Sequence, residues 1–180
     1  FPTFNPFPTL QATQHSAWPR GIPLSHISNV NSSRRCLPLD RPPNHHDIAV
    51  FQSAAQHDPD LDAIFRLTHT RSQMQFLKSN AGVLIPDGVF VPYNAQASVH
   101  NYDALWALLL PTTVTGRVSD IWRGYAAQRL FWNAGLRVAY SSPFVSQLRN
   151  AHNSLADFQS EQDLYAKAGT CLNFQCPARS

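Results

Sequence analysis

The apolar positions of this chain change period along its length, and those changes predict its elements. "IAVFQSAA", Ile48 to Ala55, is a near-continuous apolar run of strand length. "HDPDLDAIFRL" follows as an acidic turn and a second short apolar segment, read as a strand, and "RSQMQFLKS" reads as a helical turn or a loop. Val83, Ile85, Val89 and Val91 flank Pro86-Asp87-Gly88, the mark of a hairpin or two short strands. "NYDALWALLL" then reads as a helix, with Asn101 as N-cap, Asp103 in the first turn and Pro111 as the stop. In the next segment Val118, Ile121, Trp122, Tyr125 and Trp132 follow i, i+3, i+4, i+7 and i+14, one stripe of a helix. Ser119 caps that helix, Asp120 sits in its first turn, and Gly135 ends it. Leu136 to Tyr140 reads as a strand, and Ser154 to Gly169 as one polar amphipathic helix. Strands alternating with helices predict an α/β fold.

Composition adds limits. The chain has 180 residues, enough for one domain with a core. Its 14 prolines outnumber its 7 glycines and crowd the first sixty positions, so residues 1–47 are expected to be loop-rich and extended. "WPRGIPL", from Trp18, is the densest candidate for order there. The net charge is +3, and Arg34-Arg35 is the single basic pair, which excludes a nucleic-acid-binding stripe. The longest apolar stretch, "ALWALLLP" from Ala104, falls far below the roughly 20 residues of a membrane span. The chain does not begin with Met and opens on "FPTFNPFP", so we expect a piece of a longer protein. Of its three cysteines, Cys171 and Cys176 lie close enough to pair, which leaves Cys36 odd and the redox compartment open. Asn31-Ser32-Ser33 is a sequon that accepts a glycan if the chain meets the secretory lumen.

Candidate chemistry is sparse. Asp58, Asp60 and Asp62 form D-x-D-x-D, a pattern able to bind a hard cation, but an EF-hand would need Gly at Ala63 and Glu at His69. The pattern suits either a divalent cation on a sugar-nucleotide diphosphate or a plain acidic turn, and spacing alone favours the turn. His45, His46, His57, His69, His100 and His152 show no metal-ligand spacing. There is no nucleophile elbow, P-loop or dinucleotide-binding fingerprint. Asp120 at a helix start is either a general base or a helix-end acid, and physics alone favours the second.

"NPFP", "WPRGIPL", "DPDLDAIFRLT", "PYNAQ", "ALWALLLPTTVTGRVSDIWRGYAAQRLFWNAG" and "RNAHNSLADFQSEQDLYAKAG" together resemble successive blocks of the STELLO family of glycosyltransferases. They run in the same order from Phe1 to Gly169, and "DIWRGY" is the most specific. A more distant similarity links "RGIPLS", Asp60 to Ala63, "SDIWRGY" and "RNAHNS" to the reversibly glycosylated polypeptides, the UDP-arabinopyranose mutases.

The resemblance implies the C-terminal, acceptor-side part of a GT-A-like glycosyltransferase fold. Residues 1–169 would form a partial domain without the upstream nucleotide-binding half, inactive by itself, and 170–180 an irregular tail. It implies a UDP-sugar donor, Mn²⁺ or Mg²⁺, an unidentified glycan or protein acceptor, and a membrane reached only through regions outside this chain. It places the domain in the Golgi lumen, with Asn31 glycosylated; the mutase likeness points instead to the cytoplasm. By the same resemblance Arg20 is the sugar-contacting arginine, Asp60 and Asp62 face the sugar, Asp120 is a general base or sugar ligand, and His152 ligates metal. Arg123 contacts a phosphate or pairs with an acid. Ser119 stands where the mutases carry a first carboxylate, which favours the rival reading of a non-catalytic scaffold for glycan- or cellulose-synthesising complexes.

Overall fold

In a computed structural model of the chain, which describes residues 1–29, 37–38, 47–69, 73–77, 82–148, 150 and 153–172, five strands form one mixed sheet. They are β1 (Leu37–Pro38), β2 (Ile48–His57), β3 (Gly82–Leu84), β4 (Ser98–His100) and β5 (Arg137–Gln147), in the order β1-β3-β5-β2-β4. β2 and β5 run parallel, and the other pairings are antiparallel. β2 is buried along most of its length. A strand covered on both faces has no reason to alternate, so it appears in the sequence as a continuous apolar run. The helices are α1 (Ala63–Thr68), α2 (Gly116–Asn133), α3 (Ser154–Ser160) and α4 (Gln162–Leu172), giving a mixed α/β fold.

The first 29 residues contain no strand and only a 3-10 helix, Leu24–Asn29. They are nevertheless interior. Phe4, Phe7, Leu10, Ala17, Trp18 and Ile22 are buried in the main core with Val50, Val83, Ile85, Phe131 and Val138. A buried loop must satisfy its backbone groups without a ladder. Asn5 does part of this: its Nδ2 donates to Ala17 O at 2.9 Å and its Oδ1 accepts from Phe7 N at 3.1 Å. Isolated bridges, Thr3 to Phe90 and Ala12 to Phe76, tie down the rest.

Several expected elements differ. The apolar segment after Asp62 is α1, not a strand, because the Asp62 carboxylate caps it by accepting from Ile64 N at 2.8 Å. Pro86-Asp87-Gly88 does make a turn, but no hairpin follows: β3 pairs with β5, and Phe90 bridges to Thr3. Residues Tyr102–Leu108 form a 3-10 helix, and the Asn101 side chain donates to Ile48 O at 3.3 Å instead of capping. Within "RSQMQFLKS", Met74 bridges to His57 and Phe76 to Ala12. The predicted helix from Ser154 breaks at Glu161 into α3 and α4, and α4 continues past Gly169 to Leu172.

α2 starts earlier than expected. Its N-cap position is Thr115, so Ser119 lies inside the helix and Asp120 is its fifth residue. Its end agrees with expectation. Gly135, at φ +71°, follows the last turn, and Leu136 N reaches Phe131 O at 2.9 Å, a Schellman closure. The apolar stripe is only half the story. Ser119, Asp120, Arg123 and Gln128 are buried with Val118, Ile121 and Tyr125, so α2 is enclosed except along the face of Ala126, Leu130 and Asn133.

Candidate functional site

Arg20, Asp60 and Asp120, far apart in sequence, meet as one buried ion cluster. Arg20 Nε donates to Asp60 Oδ1 at 3.0 Å and Nη2 to Asp60 Oδ2 at 2.6 Å, a side-on bidentate pair. Its Nη1 and Nη2 donate to Asp120 Oδ1 and Oδ2, each at 3.1 Å, and Nη1 also reaches Arg117 O. Every N–H of the guanidinium is therefore used. Burial by itself would lower the Arg20 pKa, but the adjoining Asp60 and Asp120 carboxylates outweigh it and raise it.

The carboxylates are as fully occupied as the arginine. Asp120 Oδ1 also accepts from Ile121 N at 3.0 Å, and Oδ2 from Ala95 N at 3.2 Å. Asp60 Oδ2 accepts from Asn94 Nδ2 at 2.9 Å. The cluster thus fixes three elements against one another: the 17–22 loop, the turn before α1, and α2 with the 92–97 segment. One glycine permits that approach. Gly21 sits at φ +102°, and a Cβ there would lie 2.5 Å from Ile121 Cγ2. Its carbonyl accepts from Tyr125 Oη at 2.7 Å.

The three aspartates of D-x-D-x-D take three separate partners. Asp58 pairs with Arg66 at 2.6 Å, Asp60 with Arg20, and Asp62 caps α1. Asp62 belongs to a second cluster, around Glu161. Glu161 Oε2 accepts from Ala63 N at 3.1 Å and Tyr165 Oη at 2.7 Å, while Arg117 Nε donates to Oε1 at 2.7 Å. Burial, and then the nearby Glu161 charge, pushes the Asp62 carboxyl up to about 7.

Arg123 is buried beside these clusters without joining them. Its guanidinium carbon lies 5.1 Å from the centroid of the Tyr93 ring, and among the described residues it makes no ion pair. His152 and Asn31 fall outside the described residues, as do Cys36 and Cys176. Among the described residues no group of three His, Cys, Asp or Glu side chains could hold a metal ion. The donor chemistry explains this: Asp60 and Asp120 are consumed by Arg20. These residues therefore do not fit the implied Mn²⁺ or Mg²⁺. No helix among them is long and apolar enough to cross a membrane.

Residues 117–178 match the family model of the STELLO glycosyltransferases. The chain is 29% identical over 177 residues to the Probable glycosyltransferase STELLO1 of Arabidopsis thaliana. It is 28% identical, over the same length, to the Probable glycosyltransferase STELLO2 of that plant. Each alignment covers 96% of this chain. The chain is a distant relative of the STELLO glycosyltransferases. It spans only 22% of the length of either of these two relatives. The STELLO family match opens at Arg117, so it holds Asp120, Arg123 and Glu161, while Arg20 and Asp60 lie upstream of it.

Some residues of the site escaped the sequence reading. Asn94 holds Asp60, and Glu161 anchors the second cluster at 0% exposure. "SEQD" gives no local sign of burial; Glu161 is enclosed by tertiary packing, with Ala63 of α1, Arg117 of α2 and Tyr165 of α4 on its carboxylate. His100 was weighed only for metal-ligand spacing and Tyr93 appeared only within "PYNAQ", since neither lies on a periodic apolar face.

Proposed function

We propose that this chain is the acceptor-side part of a GT-A-like glycosyltransferase that transfers a sugar from a UDP-sugar in a divalent-metal-dependent reaction. The observation that most supports this is a coincidence of likeness and geometry. The stretch matching the STELLO family carries Asp120, and Asp120 clasps Arg20, the residue that the mutase likeness assigns to the sugar.

The geometry sharpens the roles. With four hydrogen bonds on its two oxygens, Asp120 has every lone-pair direction occupied. We therefore assign Arg20, Asp60 and Asp120 as positioning residues. They hold the 92–97 segment and the first turns of α2 in place, and the reacting groups and the metal ligands lie outside the described residues. The same reading puts the domain on the lumenal side of a Golgi membrane, with the membrane reached through other regions. The test is UDP release from a panel of UDP-sugars by the full-length protein with Mn²⁺, with and without Asp120→Asn. The substitution should lower turnover at least tenfold at a temperature where both proteins are folded.

One observation favours a second reading. Ser119 stands where the mutases have a carboxylate, and its hydroxyl turns back onto Gly116 O at 3.3 Å. A scaffold that keeps the fold without catalysis would look like this. Calorimetry of the full-length protein separates the two, because a scaffold binds no UDP-sugar.

A further inference from the structure

The uncovered face of α2 does not simply meet solvent. Trp122, Ala126, Arg129 and Leu130 follow i, i+4, i+7 and i+8, one stripe along α2. Lys167, Thr170 and Cys171 follow i, i+3 and i+4 along α4. The two stripes line a cavity of about 480 Å³, together with the buried rings of Phe90 and Tyr125. Cavities that take small molecules measure roughly 300–1,000 Å³ and are chiefly apolar.

The buried part of the lining is apolar and fixed. Phe90 packs edge-on against Tyr125 at 5.5 Å and lies tilted against Trp132 at 4.7 Å. Tyr125 Oη donates to Gly21 O at 2.7 Å, which locks that ring. Burial pushes the Cys171 thiol up, so it stays protonated and packs as a small apolar group. Water in such a cavity finds few partners, which favours an apolar occupant. The charges on the lining have one sign. Arg129 and Lys167 carry them, and among the described residues no acid lines the cavity. Lys167 keeps an exposed ion pair with Asp163 at 2.7 Å, and Arg129 Nη1 donates to Asn133 Oδ1 at 2.8 Å. Exposed contacts of this kind are weak, so an arriving anion can replace them. Both side chains can lay their stems along the apolar wall and keep their heads in water.

We infer that the cavity between α2 and α4 binds an amphipathic anion, with its apolar body against Phe90, Trp122 and Tyr125 and its single anionic head at Arg129 and Lys167. The cations set the sign of the head, and the apolar walls select against small inorganic anions and unsubstituted sugars. A fatty carboxylate is the simplest ligand with this chemistry. The site shares no residue with the Arg20 cluster and does not depend on sugar transfer.

The probe is decanoate, kept below its micelle concentration and titrated into the 180-residue chain by calorimetry, with acetate, decanol and decyltrimethylammonium as comparisons. Decanoate should bind and raise the melting temperature. Decanol should bind a few-fold more weakly, and acetate and the cation more weakly still. Ala126→Trp, at an exposed position, puts an indole into the cavity and should weaken decanoate binding about tenfold or more, the loss of roughly two buried methylenes. Arg129→Gln combined with Lys167→Gln leaves the cavity open and should bring decanoate down to the affinity of decanol. If Ala126→Trp melts far below wild type, the double variant decides. No binding of decanoate, or unchanged affinity in a folded variant, would overturn the site. Acetate binding as tightly as decanoate would overturn the apolar body, and decyltrimethylammonium doing so would overturn the anionic head.

Discussion

Replacing Arg20 with Met tests the ion cluster that organises the fold. The substitution keeps most of the side-chain volume and deletes every N–H. Asp60 and Asp120, with side chains 8% and 12% exposed, then lose the guanidinium that they share. Breaking a buried pair by removing one partner costs about 3–5 kcal/mol, most of it the penalty of the stranded charge. Here two carboxylates lose the same partner, so the upper part of that range applies. For a domain of this size each kcal/mol lowers the melting temperature by roughly 2–4 °C, so the variant should melt about 10–20 °C lower. Arg20→Lys should recover only part of the loss, because an ammonium cannot grip Asp60 side-on while also reaching Asp120. Adding Asp60→Asn to Arg20→Met should restore some stability, and urea denaturation of the set gives the coupling directly. A loss below about 1 kcal/mol for Arg20→Met would refute the reasoning, because solvated surface pairs behave that way.

Three further outcomes follow from the same geometry. The Asp62 carboxyl, at about 7 in the folded chain, lies above its unfolded value, so the folded state holds its proton longer and stability falls as pH rises from about 4 through 7. Asp62→Asn keeps a good N-cap and should flatten that slope in denaturation between pH 4 and 8, with a gain at pH 8 of at most about 4 kcal/mol; a slope parallel to wild type would show the assignment to be mistaken. Gly124→Ala drives a methyl against Tyr93 O and should cost about 1–3 kcal/mol, whereas Gly116→Ala, with nothing within 4 Å, should be neutral or mildly stabilising. Tyr125→Phe deletes the 2.7 Å bond to Gly21 O and should cost about 1–2 kcal/mol by thermal melting; no change would mean that water serves that carbonyl equally well.

Where period and burial agree, the elements were legible. β2 reads as an apolar run because it is an interior strand buried along most of its length, and α2 closes at Gly135, whose positive φ that turn requires. Tyr102–Leu108 read as a helix without its type, because its spacing fits both geometries. Ala104 and Ala107, both buried and three apart, suit a 3-10 face as well as an α one. Phe4, Phe7 and Leu10 follow no period, yet they are interior because Asn5 and isolated bridges replace a ladder. D-x-D-x-D suggested a single cation, but Arg20 and Arg66 divide the aspartates between them, a division only tertiary structure reveals. Arg20, Asp60 and Asp120 were named through likeness to the mutases, and the fold brings them together. Glu161 had no such likeness and no local pattern to mark it.

The claim that this chain serves UDP-sugar transfer is tested most directly by one comparison. UDP release by the full-length protein is measured with Mn²⁺ over a panel of UDP-sugars, for wild type, Asp120→Asn, and Asp58→Asn as a control paired elsewhere, with Arg66. The account predicts metal-dependent release that falls at least tenfold in Asp120→Asn and holds in Asp58→Asn. No UDP release from any donor, together with no heat of UDP-sugar binding, would contradict it.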